Sequence, residues 1–161
     1  MSTTVVAGTS IKFAYTYDEL FEVVSLVTNE IAVTMLDGEG MPLVDEYGIS
    51  EDEQYTVIQK MYDGANEIFE KFMKITSGIT NSVALSSTGV ECSIKDKQAY
   101  NANVLAAIDR LIKNGLCNYI IKEWFIDKKV ADHAEIYNLK YVKNVKDIVK
   151  RSVQLRKPTI T

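Results

Sequence analysis

The amino-acid sequence predicts a mainly α fold: a four-helix bundle-like domain with a small β-hairpin or ordered loop between its second and third helices, and extended termini. Three observations carry this. Four stretches repeat apolar residues at helical spacing. Two of them open on a Ser/Thr-x-x-Glu pattern, in which hydroxyl and carboxylate can each satisfy a free backbone N–H. Only two prolines occur, Pro42 and Pro158, and both fall outside the apolar stretches. At 161 residues and 47% hydrophobic, the chain is long enough for one domain with a core that needs neither disulfide nor metal.

Residues 1–14 read as a short strand or an extended N-terminal arm, β-branched and aromatic around Gly8. Thr16 and Glu19 then open a helix over 17–36, whose apolar stripe is Leu20, Val24, Val27, Ile31 and Met35. Asp37-Gly38-Glu39-Gly40 ends it. Ser50 and Glu53 repeat the cap before a helix over 51–76, with Ile58, Met61, Ala65, Ile68, Phe72 and Ile75 on one face. Gly64 is a weak point there, costing about 1 kcal/mol against Ala.

Residues 77–95 change character. Val83-Ala84-Leu85 and Val90-Glu91-Cys92-Ser93-Ile94, separated by Ser86-Ser87-Thr88-Gly89, read as a hairpin or ordered loop. Asp96 is a candidate N-cap for a helix over 97–126, with Ile108, Leu111, Ile112 and Ile120 on its apolar face. Asp127-Lys128-Lys129 makes a short break. A last helix over 130–153 carries Val130, Ala134, Tyr137, Tyr141, Val145, Ile148 and Ser152, a seam suited to antiparallel packing. Residues 154–161, with Pro158, form a C-terminal arm. The whole is one helical domain, 1–161. The arms and the 77–95 insertion, with Val5, Val6, Ile11 and Ile160, are expected to contact neighbouring subunits or partners.

The net charge of −4 hides an asymmetry. Residues 1–96 carry 5 Lys and Arg against 16 Asp and Glu; residues 97–161 carry 13 against 6. An acidic half thus precedes a basic one, a pattern that favours contact between charged surfaces. The cations concentrate in the last helix and tail. Lys140, Lys143, Lys146 and Lys150 share one helical flank, and Arg151, Arg156 and Lys157 extend it. Together with Ile160 they are the candidate interface residues, toward a polyanion, an acidic protein surface or a neighbouring subunit.

No constellation for catalysis emerges. His133 is the one histidine, and its neighbour Asp132 lies on a different side of a helix, so a charge-paired general base does not form. No G-x-S-x-G, G-x-x-x-x-G-K-[ST] or G-x-G-x-x-G is present. Asp37, Glu39, Asp45 and Glu46 make an acidic loop without calcium-loop spacing. Glu51-Asp52-Glu53 sits where carboxylates favour a helix N-terminus. Cys92 and Cys117, outside any CxxC, read as free thiols. The Met-Ser-Thr-Thr start shows no signal-peptide pattern, and no apolar run approaches a membrane span. The sequence thus offers no catalytic, cofactor-binding or metal-ligating residues, and the chain is read as a non-enzyme.

Tyr119-Ile120-Ile121-Lys122-Glu123-Trp124-Phe125, followed by a Tyr-containing helix that ends in Arg151 and the Arg156-Lys157-Pro158 tail, resembles small virion proteins of phages infecting gut Bacteroidales. The layout as a whole resembles the head-to-tail connector (adaptor) proteins of tailed phages, which are helical bundles with a hairpin and a C-terminal arm. That resemblance implies a homo-oligomeric ring, with a dodecamer as candidate size, bound to portal and other neck or tail proteins and close to DNA. It implies a location in the virion neck after synthesis in the bacterial host cytoplasm, with no membrane and no cofactor. The alternative from a different class is a cytosolic helical adaptor or regulator that binds nucleic acid through its basic last helix.

Overall fold

The computed structural model of the chain describes residues 4–6, 10–73, 80–86, 88–95 and 102–153. The fold is mainly helical, with the hairpin in the expected place. In order, it comprises β1 (Thr4–Val6), β2 (Ser10–Thr16), α1 (Tyr17–Thr34), the short turn α2 (Val44–Tyr47), a 3-10 turn (Glu51–Glu53), α3 (Gln54–Met73), β3 (Thr80–Leu85), β4 (Gly89–Lys95), α4 (Ala102–Asp127) and α5 (Ala131–Ser152). Asp96, Ile75, residues 77–79 and the tail with Arg156, Lys157 and Ile160 lie outside the described residues.

The hairpin is not an isolated insertion, and of the two readings of the N-terminal segment, strand or arm, the described residues take the strand. The strands form one antiparallel sheet in the order β1-β2-β4-β3, with Phe13 opposite Cys92 and Tyr15 opposite Val90. On β2, Ile11, Phe13 and Tyr15 point inward and are buried, while Lys12 and Ala14 are half-exposed. This is the two-residue alternation of a sheet with one wet face. Ile11 was expected to reach a partner; it is instead wholly buried in the chain's own core. Phe13 packs on Phe69 of α3 at 6.1 Å between ring centroids, and Tyr15 Oη donates to Asp109 Oδ1 of α4 at 2.7 Å. On the wet face Lys12 pairs with Glu91 at 2.7 Å, an exposed contact worth about 0–1 kcal/mol. Gly89 is required where β4 meets β2, because a Cβ there would stand 2.1 Å from the Tyr15 carbonyl oxygen.

The helix starts follow the capping signals in part. Ser50 and Glu53 close as expected: the Glu53 carboxylate accepts from the Ser50 backbone N–H at 2.8 Å and from its hydroxyl at 3.0 Å. Thr16 Oγ1 accepts from the Glu19 N–H, but the Glu19 carboxylate turns away to pair with Lys113 on α4. That choice ties α1 to α4 rather than completing the cap. The stripe of α1 also drifts. Tyr17, Leu20, Val24, Thr28 and Ala32 are buried, whereas Val27 and Ile31 are only partly so. Thr28 is tolerated in the core because its hydroxyl donates to the Val24 carbonyl at 2.9 Å and accepts from the Ile49 N–H at 3.2 Å.

α4 is the centre of the molecule. It packs against α1, α3 and α5, and its buried residues, among them Ile108, Ile112, Leu116, Ile120 and Phe125, cover a wide arc. Trp124 is buried as well, its indole N–H donating to the Tyr47 carbonyl at 2.7 Å. Leu111, expected in the interior, is only partly buried at the margin between α1 and α5. Gly64 has a packing reason: a Cβ there would meet the Tyr119 ring at 2.8 Å, so its absence lets α3 lie close on α4.

α4 ends in a Schellman turn. The Val130 N–H bonds the Phe125 carbonyl at 2.8 Å and the Lys129 N–H bonds the Ile126 carbonyl at 3.0 Å. Lys129 sits at φ 60°, where glycine is usual. The turn reverses the chain so that α5 runs back along α4, with Ala134, Tyr137, Tyr141, Val145, Ile148 and Ser152 buried. This is the seam read from the sequence.

Candidate assembly surface

α1 and α5 both flank α4, and an open groove of about 600 Å³ runs between them. Its walls are Val23 and Val27 of α1 and Tyr137 and Lys140 of α5; Leu111 and Ile121 of α4 lie at its base. Asn118 donates to Asn144 across the α4–α5 seam at 2.8 Å.

Each helix also keeps apolar side chains on its outer face. On α1, Leu26 is 59% and Val33 53% exposed, with Val23 beside them. On α5, Leu139 is 63% and Ile136 45% exposed, with Val142 beside them. Exposed leucines singly are ordinary, but rows of them on one helix face mark a surface that works by contact.

The charges around these two faces have opposite sign. α1 contains no Lys or Arg; its exposed charges are Asp18, Glu22 and Glu30. On α5, Lys140, Lys143, Lys146, Lys150 and Arg151 are all exposed, as the spacing predicts. None of these eight makes an ion pair with another described residue. Lys140 is partly engaged within the chain, its Nζ 4.1 Å from the centroid of the Tyr137 ring. Arg156, Lys157 and Ile160 of the same candidate set lie outside the described residues.

A second concentration of polar groups lies between α3, α4 and α5. Tyr119 and Tyr141 meet edge to face at 5.3 Å, Lys122 Nζ lies 4.3 Å from the Tyr119 ring centroid, and Lys71 pairs with Glu67 at 2.6 Å. Burial, followed by the nearby Glu67 carboxylate, pushes the Tyr141 phenol well above its ordinary range. Its oxygen makes no hydrogen bond of good geometry, although Glu67 is adjacent. With Tyr141 buried, this cluster joins three helices.

The remaining candidates are used up locally. His133 is half-buried, stacked on Phe125 with ring centroids 5.2 Å apart. Asp37 Oδ1 accepts the Glu39 and Met41 backbone N–H groups, each at 2.8 Å, and these donors, Met41 first, hold its carboxyl below the usual range. Cys92 and Cys117 are buried free thiols. Burial raises both, Cys117 to about 12, which suppresses the reactive thiolate. Among the described residues no group of three or more His, Cys, Asp or Glu is placed to hold a metal ion, and no helix is long and apolar enough to cross a membrane.

Sequence reasoning already set an acidic N-terminal half against the basic flank; what it did not single out is α1, the helix whose outer face is both apolar and acidic. The absence of any cation between Lys12 and Lys60 was its signal, but exposed Val and Leu on α1 could not be told from core residues without the packing. No protein-family model, no curated protein and no solved structure matches this chain.

Proposed function

We propose that this protein is a structural virion component of a tailed phage, a head–tail connector subunit that forms a ring between portal and tail and performs no catalysis itself. The observation that supports it is the pair of exposed helix faces on α1 and α5, apolar at their centres and of opposite charge. A ring subunit must present two different, mutually complementary surfaces, since a contact repeated around an axis is heterologous. The layout of four long helices with a hairpin agrees with the resemblance drawn from the sequence. In this reading the cations of α5 face a neighbouring subunit or the portal.

The test is incubation of the purified chain with candidate portal rings, followed by measurement of particle mass. Stoichiometric addition to the portal is the expected result. A chain that adds to none of them, and is missing from phage particles, rules the reading out.

A second reading is favoured by one observation: the five exposed cations on α5 form a continuous flank. It makes the chain an adaptor that binds nucleic acid there. Affinity for duplex DNA that falls steeply with salt, and is lost when Lys143, Lys146 and Lys150 become Glu, is what that reading requires.

A further inference from the structure

The two outer faces share one spacing. On α1, Val23, Leu26, Glu30 and Val33 follow one another at steps of three, four and three; on α5, Leu139, Val142, Lys146 and Val149 do the same. Each row is apolar, apolar, charged, apolar, the a/d spacing by which two helices interdigitate. All eight side chains are exposed or partly so. Within one chain the two rows are held apart, since both helices pack on α4 with the groove between them.

We infer that the α1 row of one copy packs in parallel on the α5 row of a second copy, with Glu30 set against Lys146. This deepens the ring reading and rests on it, by naming the surfaces that join neighbours. Laid side by side in the same direction, Val23 meets Leu139, Leu26 meets Val142 and Val33 meets Val149. Reversing one helix sets the charged positions against apolar ones. Pairing of α1 with α1 brings Glu30 against Glu30, and pairing of α5 with α5 brings Lys146 against Lys146. The charged position therefore selects the unlike pair and fixes register, as a single polar residue in an apolar seam does. Glu22 beside the α1 row and Lys140 and Lys143 beside the α5 row place further charge of the right sign at the margin. The apolar layers supply the affinity and the charges choose the partner.

The test uses the full chain, with self-association followed by sedimentation velocity over a concentration series. Glu30→Lys and Lys146→Glu are each expected to weaken association by about tenfold or more. Both residues are exposed, so the circular dichroism spectrum and thermal midpoint should stay those of the wild type. The double variant, and an equal mixture of the two single variants, are expected to regain wild-type association, because each restores an unlike pair. A wild-type chain that stays monomeric, single variants that associate normally, or a double variant that stays as weak as the single ones each overturns the proposal. Portal binding is scored separately. Wild type that adds to the portal while the reversals leave self-association untouched refutes this pairing and spares the ring reading. Association that obeys the charge swap in a chain that never meets a portal does the opposite.

Discussion

α4 and α5 lie side by side, joined by a tight turn, and treat their apolar residues differently. α4 buries residues over a wide arc because α1, α3 and α5 close in from several sides. α5 buries one stripe against α4 and leaves Ile136, Leu139 and Val142 outside. The contrast teaches that apolar content alone does not say what a helix is for. In α4 it holds the sheet and the helices together; in α5 half of it is surplus to folding, and α1 repeats that surplus on the other side of the groove.

The contrast is broken most directly by truncation. Ile112→Ala, at a fully buried position of α4, should cost about 2–5 kcal/mol, measured by urea unfolding; Leu139→Ala on α5 should cost about 0.5 kcal/mol or less. Equal losses would show that Leu139 is covered within the folded chain. Gly64→Ala probes the approach of α3 to α4. A Cβ inside the Tyr119 ring contact should destabilise by about 1–3 kcal/mol, although Ala is the better helix former. A gain in stability would mean that the ring gives way freely.

Alkaline pH sharpens the comparison within α4 itself. The Cys117 thiol is raised to about 12 by burial, against about 8.5 in an unfolded chain. Stability from this group is complete below the lower value. It is lost as pH rises toward the upper one, because only the unfolded thiol ionises there. The thermal midpoint should fall between pH 8 and 11, and by less in Cys117→Ala. Identical slopes would place Cys117 in contact with water. Cys92 adds to the loss with the same sign. The smallest effect concerns the turn between the helices: Lys129→Gly should stabilise by about 0.5–1 kcal/mol, since φ 60° suits glycine. A loss there would mean that the lysine side chain contributes more than its backbone conformation costs.

The helices were legible because their signals are local. The α5 seam from Ala134 to Ser152 is buried as read, and the Ser50–Glu53 cap closes as read. A strand near β2 was legible as one of two readings, but its place in the core was not, although Ile11, Phe13 and Tyr15 alternate strictly with Lys12 and Ala14. Its partner β4 lies far along the chain, and strand pairing over such a separation leaves no mark at either end. Gly64 read as a weakness because its reason, Tyr119, sits on another helix. Thr28 is absent from the α1 stripe read in the sequence, because the reason it can be buried, the bond from the Ile49 N–H to its hydroxyl, lies on a loop. For the candidate surface, the lysine flank of α5 was visible as charge. The row on α1 was not, because an apolar residue at helical spacing announces a face without saying whether the chain itself will cover it.

The central place of β2 in the sheet bears on how the chain is made. Ile11, Phe13 and Tyr15 are synthesised early, yet the strand that pairs beside them, carrying Val90 and Cys92, follows α1 and α3. Until then β2 can pair only with β1 and keeps one hydrogen-bonding edge open, the kind of edge that recruits strands from other chains. A nascent chain stalled between α3 and β4 is thus the species most prone to aggregate. Expression at low temperature or with a holding chaperone should raise the soluble yield of the full chain more than that of a version in which β3–β4 is moved ahead of β2 by circular permutation.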